Sequence, residues 1–246
     1  MWPWRKKTNI LVLGGSGETL AIAALLKGSK SLVWWTGARP EGASVPIFEH
    51  HPPFTSQDAF EANLQSEKFA CILDATHGFD PIYSDLAAKA CAAVGVPYVY
   101  LRKPAWRPDP RDTWIDVPNM QLARAAVQPY QRVFTNIGRG LLHELRGAPG
   151  QFFVRQTVPH SNPPLIDNAS YVFGTPPFSV AQERALFTEL TIDAVLFRNT
   201  GGDASVSKVK AAQELGLPLV MLQRPKSPDG IRLSSMDEVK EWIQQI

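Results

Sequence analysis

The sequence has too few cysteines and too few long apolar runs for several classes of protein. Only Cys71 and Cys91 occur in 246 residues, which excludes a disulfide framework and favours a reducing cytoplasm. The apolar run Ile10–Leu13 is soon ended by glycines and lacks the cleavage site of a signal peptide. No stretch approaches the ~20 apolar residues that cross a bilayer. We therefore expect a soluble, cytoplasmic protein without a membrane partner.

Charge of one sign and metal-ligand spacings are also sparse. The 25 basic and 23 acidic residues leave a net charge of +2, which is too small to predict a nucleic-acid partner. The adjacent pair His50-His51 is followed by two prolines, with no cysteine or paired acid at ligand spacing, so we expect no metal site. No Gly-x-Ser-x-Gly elbow follows a predicted strand, which argues against a serine hydrolase.

A strand, a glycine-rich turn and a helix follow one another near the start of the chain. The run Ile10–Leu13 leads into Gly14, Gly15 and Gly17, and then into a helical segment. This order presents backbone N–H groups and a helix N-terminus to a phosphate, although Leu20 stands where the dinucleotide fingerprint has its third glycine. Two interpretations are open: a phosphate-binding turn, or a tight turn followed by an ordinary capped helix.

Strands and helices alternate along most of the chain, which is typical of an α/β protein with mostly parallel sheets covered on both faces. The stretch 104–118 differs, because its four prolines and weak periodicity predict a connector. Strands are predicted at 10–13, 31–36, 70–73, 98–101, 132–136, 152–156, 171–173, 194–197 and 219–222. Helices are predicted at 20–26, 56–67, 84–94, 119–127, 179–190, 205–215 and from 235 onward. The helices that begin at 179 and 235 have capping-box spacing.

One segment of the sequence is echoed in the second half. Lys89–Pro104, KACAAVGVPYVYLRKP, matches Lys210–Pro225, KAAQELGLPLVMLQRP, at one constant offset. Each copy predicts a helix, a Gly-x-Pro turn, a strand and a proline, so we expect two related lobes, with domains over 1–127 and 128–246. Ligands bind beyond the carboxyl ends of strands in such sheets, which selects the loops 14–19, 36–42, 74–80, 135–140 and 198–205.

Taken together, these loops resemble the precorrin-6A reductase family of cobalamin biosynthesis. The resemblance runs from Asn9 to the last helix, and its most specific parts are DATH (74–77) and the late NTGG (199–202). The chain departs from the family pattern at Gly78, Asp80 and Arg198. The matching stretches are Gly14–Glu18, Thr36–Arg39, Asp74–His77, Thr135–Arg139 and Asn199–Gly202, together with Lys208.

The resemblance implies an enzyme with two Rossmann-like lobes, mostly parallel sheets and a ligand cleft between them. The implied reaction reduces precorrin-6A, a polycarboxylate tetrapyrrole, to precorrin-6B by hydride transfer from NADPH. We expect a monomer. The alternatives are a cobalt-precorrin-6A reductase, a nucleotide-sugar transferase with two similar lobes, and a non-catalytic NADPH-binding regulator.

The resemblance also implies two candidate catalytic residues, His77 and Lys208. His77 contacts the nicotinamide ribose or the substrate, or supplies a proton, because histidine titrates near physiological pH. Lys208 pairs with a carboxylate of the substrate, and Arg139 and Arg198 are further cations for the same purpose.

The implied cofactor site draws on both halves of the chain. Glu18 is expected on a ribose hydroxyl or backbone amides, because a carboxylate beside a phosphate is unfavourable. Asp74 and Thr76 either meet the cofactor or satisfy amides of their own loop. The implied cofactor-binding residues are Gly15, Ser16, Gly17, Glu18, Thr36, Arg39, Asp74, Thr76, Gly138, Arg139, Asn199, Thr200, Gly201 and Gly202.

Arg39 gives a first testable prediction. It follows the second predicted strand, where the adenosine ribose of a dinucleotide lies, and arginine can bind a 2′-phosphate bidentately. Arg39→Ala should therefore raise the Michaelis constant for NADPH much more than that for NADH, measured by steady-state kinetics with both cofactors. An equal change for the two would mean that Arg39 is an ordinary surface arginine.

Overall fold

The computed structural model describes residues 9–36, 56–158, 160–203 and 205–246. The chain divides into two compact units, the first within Met1–Lys103 and Pro225–Ile246 and the second within Pro104–Arg224. The expected boundary after residue 127 thus falls inside the second unit. This difference arises because the chain after 104 and the chain after 225 each add their next strand to the sheet of the other half.

The strands of the described residues are short. In chain order they are β1 (Ile10–Gly14), β2 (Leu32–Trp35), β3 (Cys71–Ala75), β4 (Tyr98–Leu101), β5 (Trp114–Val117), β6 (Arg132–Thr135), β7 (Gln151–Gln156), β8 (Ala169–Phe173), β9 (Ala194–Arg198), β10 (Leu219–Leu222) and β11 (Ile231–Leu233).

Helices separate most of these strands. They are α1 (Thr19–Leu25), α2 (Gln57–Glu67), α3 (Pro81–Val94), α4 (Met120–Ala126), α5 (Arg139–Leu142), α6 (Val180–Glu189), α7 (Ser207–Glu214) and α8 (Met236–Gln245), with a 3₁₀ turn at His143–Leu145. Within the described ranges, every helix is too short or too polar to span a bilayer.

The first sheet has the strand order β11-β4-β3-β1-β2, and its neighbouring strands all pair in parallel. Every residue of β1 and β3 is buried, as expected for strands that are covered on both faces. Val12 packs in one core with Val239 of α8. Leu13 points to the opposite face and packs in a second core with Phe60 of α2.

The second sheet has the order β5-β10-β9-β6-β7-β8 and is also parallel throughout. Its core is aromatic: Phe134 of β6 lies 4.8 Å from Phe187 of α6 and 6.1 Å from Phe197 of β9, measured between ring centroids. β8 forms a half-exposed edge. The α/β class with parallel sheets is confirmed.

The strands β5 and β11 correct the sequence-based prediction. Residues 114–117 were expected in a connector, but they form β5 beside β10. β11 pairs with β4 in the same way and was not predicted. Each has three or four residues, several of them partly exposed, and each borders one neighbour only. Their order therefore comes from tertiary pairing, which leaves little trace in local sequence.

The two similar segments, Lys89–Pro104 and Lys210–Pro225, form equivalent elements of the two units. Gly95 follows α3 and Gly216 follows α7, with φ of 74° and 64°, values that side chains other than glycine rarely adopt. β4 and β10 come next, and each lies between an inner strand and an added edge strand. Helix starts also agree with prediction at Ser179, whose hydroxyl accepts from Gln182 N–H (3.2 Å) in a complete capping box.

Candidate active site

The glycine turn after β1 is tightly packed against neighbouring strand ends. A Cβ on Gly14 would lie 2.6 Å from Thr19 Cγ2, and one on Gly15 would lie 2.9 Å from Thr36 Oγ1, so no larger side chain fits at either position. Gly15 N–H donates to Thr19 Oγ1 (3.2 Å), and Ser16 N–H donates to the carbonyl of Ala75 (3.0 Å). Two backbone donors of the turn are therefore used inside the protein.

Glu18, at the start of α1, is paired with Lys103, which lies just beyond β4. Burial alone would raise the pKa of the Glu18 carboxyl, but the hydrogen bond and charge of Lys103 outweigh it and lower that pKa. Lys103 was not singled out from the sequence. Its position after a parallel strand is the signal that could have found it.

Asp74 is the penultimate residue of β3 and is completely buried. Its carboxylate accepts hydrogen bonds from Thr76 N–H (2.7 Å), Ser84 Oγ (2.6 Å) and Tyr98 OH. Arg102 Nη2 lies 3.5 Å from the same carboxylate and completes a buried ion pair. The Asp74 carboxylate is thus fully hydrogen-bonded to internal partners. This supports the interpretation that Asp74 stabilises the loop that follows β3.

Thr76 belongs to the same network. Its side chain is buried, its hydroxyl lies 3.0 Å from Ser84 Oγ, and Arg102 Nη2 donates to it (3.3 Å). Asp80, at the other end of the loop, has a raised pKa because of burial and the nearby Asp74 charge. The predicted contacts of Asp74 and Thr76 with a cofactor stay predictions.

His77 lies between these residues and is partly exposed. Its Nδ1 accepts a hydrogen bond from Phe79 N–H (3.2 Å), and the two rings lie 6.0 Å apart. Since Nδ1 is an acceptor, the neutral ring carries its proton on Nε2.

In the second unit, the NTGG turn after β9 is held by Pro104 and Trp106. Asn199 is buried, its Oδ1 accepts from Trp106 N–H (2.8 Å), and its Nδ2 donates to Trp106 O (3.0 Å). A Cβ on Gly201, whose φ is 69°, would lie 2.0 Å from Pro104 O. Gly202 N–H donates to the same carbonyl (3.3 Å). These residues therefore have an internal reason for their identity.

A pocket of about 350 Å³ lies in the second unit, beyond the carboxyl ends of β6, β7 and β9. It brings together three residues that the resemblance implied and two that sequence analysis missed. The implied residues are Gly138, Arg198 and Lys208, and the missed ones are Arg155 and Glu183. Arg155 lies near the carboxyl end of β7, so the expectation that ligands bind beyond such strand ends could have identified it. Glu183 lies in a helix and had no such signal.

Lys208 is buried at one wall of this pocket. Its Nζ donates to Ser205 O (2.7 Å) and lies 5.1 Å from the centroid of the Trp106 ring. Burial lowers the pKa of Lys208 to about 8, with Arg198 and Arg155 acting in the same direction and Glu183 opposing them. Burial also lowers the pKa of Arg198.

The remaining predicted residues are placed as follows. Thr36 Oγ1 donates to Gly14 O (2.9 Å), and Thr200 N–H donates to the carbonyl of Arg198 (2.8 Å). Arg139 begins α5, and its buried Nε has no hydrogen-bond partner in the described part of the chain. Arg39, together with His50-His51, lies outside the described residues. Elsewhere, no three His, Cys, Asp or Glu side chains gather as a metal site.

The Asp74 network predicts a stability effect. Asp74→Asn should lower the free energy of unfolding by about 3 kcal/mol, because Arg102 would stay buried opposite a neutral amide. Urea unfolding followed by circular dichroism measures this, with exposed Asp85→Asn on α3 as the matched control. Tyr98→Phe should lower the free energy of unfolding by about 1 kcal/mol, since it removes one hydrogen bond to Asp74. Wild-type stability in Asp74→Asn would contradict a structural role.

Comparison with known proteins gives a consistent result. Residues 9–244 match the family described as "Precorrin-6x reductase CbiJ/CobK". A "Precorrin-6A reductase" from Sinorhizobium sp is 32% identical over 247 residues, covering 97% of this chain and 95% of the relative. One from Mycobacterium tuberculosis is 30% identical, covering 96% and 97%. A solved structure of "CobK precorrin-6A reductase" superposes with a TM-score of 0.86 at 30% identity, covering 97% of both chains. The chain therefore belongs to the precorrin-6x reductase CbiJ/CobK family.

Proposed function

We propose that this protein reduces precorrin-6A to precorrin-6B, taking a hydride from NADPH and one proton in each turnover. The observation that carries the proposal is the pocket of the second unit, where Arg155, Arg198 and Lys208 line one cavity with a single acid, Glu183. Buried cations are unfavourable unless an anion neutralises them. A tetrapyrrole with several carboxylate arms supplies such anions, so the charge of the pocket suits this class of substrate.

In the first unit, we assign NADPH to the loops after β1, β2 and β3. A Cβ on Gly17 would meet nothing within 4 Å, which leaves room for a ligand beside the backbone, and Lys103 offsets the charge of Glu18, so a diphosphate is not repelled there. Gly15 and Ser16 donate internally, and the Glu18 N–H bonds its own carboxylate, so we assign the amide of Gly17 to a phosphate oxygen. NADPH supplies the hydride when bound, and the protein orients the reactants and excludes water.

We assign separate roles to the two candidate catalytic residues. Lys208 binds a carboxylate of the substrate as the ammonium ion, and His77, as the imidazolium ion, is our candidate for the donor of the proton. Both cysteines are free and buried, and we place the protein in the reducing cytoplasm as a monomer, which size-exclusion chromatography tests.

The reaction itself tests the proposal. Protein, NADPH and precorrin-6A are mixed, and the nicotinamide absorbance is followed together with the chromophore band. We expect equimolar loss of both signals. Binding of NADPH without turnover would favour the regulator, and turnover of cobalt-precorrin-6A alone would favour the cobalt branch. Loss of neither signal with either macrocycle would defeat the reductase function.

Lys208 gives a more local prediction. Lys208→Ala should raise the Michaelis constant for precorrin-6A roughly 30-fold, equivalent to about 2 kcal/mol for a lost buried charge pair, with little effect on that for NADPH. Lys210→Ala, on the exposed face of α7, is the control. Unchanged substrate kinetics in Lys208→Ala would remove Lys208 from the site.

The same residue predicts a pH dependence. The ammonium form of Lys208 binds a carboxylate, and with its pKa lowered to about 8 this form is lost as pH rises through that value. kcat/KM for precorrin-6A should therefore decline above about pH 8 in the wild type. The decline should be absent in Lys208→Ala, and a profile identical in the two proteins would contradict the assignment.

A further inference from the structure

Glu183 is a buried acid in the first turn of α6, a helix that otherwise exposes most of its polar residues. Only 3% of the residue is exposed. An acid in the first turn of a helix usually stays in water and interacts with the helix dipole, so this degree of burial needs another cause. Its carboxylate lies 2.5 Å from Arg155 Nη2, which supplies the partner that a buried charge requires.

Arg155 is held from several sides. Its guanidinium carbon lies 4.2 Å from the centroid of the Phe178 ring and 5.2 Å from that of Phe134. A Cβ on Gly174 would lie 2.9 Å from Arg155 Nη1 and 2.8 Å from Phe178 Cε1, so glycine is needed for this arrangement. The aromatic rings and Glu183 together fix the plane of the guanidinium group.

One donor of that guanidinium group, Nε–H, is not used by the described part of the protein. Arg155 Nε is buried and has no hydrogen-bond partner among the described residues. Arg155 lines the same pocket as Lys208, and a planar guanidinium can donate two parallel hydrogen bonds to one carboxylate. The pocket thus has the oriented guanidinium group of Arg155 on one wall and the ammonium group of Lys208 on another.

Glu183 is the one acid among the residues that line this pocket in the described part of the chain. The charged groups that face Lys208 are Arg198 of β9, Arg155 of β7 and Glu183 of α6. Without Glu183, three cations would repel one another in a buried space, and lysine is the one that can lose its proton. Glu183 therefore favours the ammonium form of Lys208.

We propose that Glu183 is a positioning residue, which fixes Arg155 as a bidentate fork and keeps Lys208 charged so that this pocket binds a carboxylate arm of the macrocycle. The inference rests on the proposed function and deepens it, because it names the residues that select a carboxylate-bearing substrate. Glu183 acts through Arg155 and Lys208 and does not itself touch the substrate.

The test compares Glu183→Gln with the wild type. Glutamine keeps the shape of the side chain and removes its charge. At pH 8 we expect the Michaelis constant for precorrin-6A to rise about fivefold, because a tenfold lower proton affinity of Lys208 would reduce its ammonium fraction from about one half to about one tenth. The decline of kcat/KM at alkaline pH should move to lower pH. The dissociation constant of NADPH, from fluorescence titration, should not change. Glu183→Asp should restore part of the loss.

Glu189→Gln is the matched control, since it makes the same change on the exposed C-terminal end of α6. If Glu183→Gln loses only thermal stability and keeps the wild-type Michaelis constant and pH limb, the inference is wrong while the proposed function stands. A matching rise for NADPH would also overturn it, because the pocket would then serve a cofactor phosphate. If Glu183→Gln does not fold, Arg155→Lys, which keeps the charge and removes the fork, should show the same rise for precorrin-6A only.

Failure of the proposed function gives a different pattern. If the wild type does not oxidise NADPH with precorrin-6A, the reductase proposal fails for every variant at once. Binding of the macrocycle is then measured by the shift of its absorption band without NADPH. A weaker shift in Glu183→Gln than in Glu189→Gln supports the pocket assignment, and equal shifts overturn it.

Discussion

Parallel strand pairing is the constraint on which both units depend. In a parallel sheet all carboxyl ends lie on one edge, and connections return along the faces, so polar residues that follow different strands are brought to a common edge. Gly15 follows β1, His77 follows β3 and Lys103 follows β4 in the first unit. In the second, Asn199 follows β9, and Arg155 lies near the end of β7. Residues far apart in sequence are thereby brought to one edge of the same sheet.

Each unit buries an acid beside an arginine, but the two pairs differ in charge balance. Asp74 accepts three hydrogen bonds and faces Arg102, so that network is neutral and satisfied by its own members. Glu183 pairs with Arg155 in a pocket that is also lined by Lys208 and Arg198, so its described lining holds three cations and one acid. A satisfied network stabilises a loop, whereas an excess of buried charge calls for a ligand. Because of this contrast, we assign substrate carboxylates to the pocket that contains Glu183 and Arg155. We assign a structural role to the pair of Asp74 and Arg102.

The inner strands could be predicted from the sequence because burial on both faces makes them continuously apolar. β1, β3 and β9 are of this kind, and their positions agree with prediction to within two residues. β5 and β11 could not be predicted from the sequence, because each is an edge strand with one partner, and that partner lies far along the chain. The site divides in the same way. Motifs at strand ends predicted Gly138 and Arg198, which line the pocket of the second unit, but the buried acid Glu183 resembles any acid in the first turn of a helix.

The late NTGG motif illustrates how one sequence pattern can have two physical causes. Its glycines were predicted to bind the cofactor, but Gly201 has a close neighbour inside the protein, the carbonyl of Pro104. Asn199 binds both backbone groups of Trp106, whose indole N–H in turn donates to Gly202 O (2.8 Å). The Trp106 ring then lies over the Lys208 ammonium. The motif therefore bears on the proposed substrate site indirectly, because it fixes the aromatic ring that lies over Lys208.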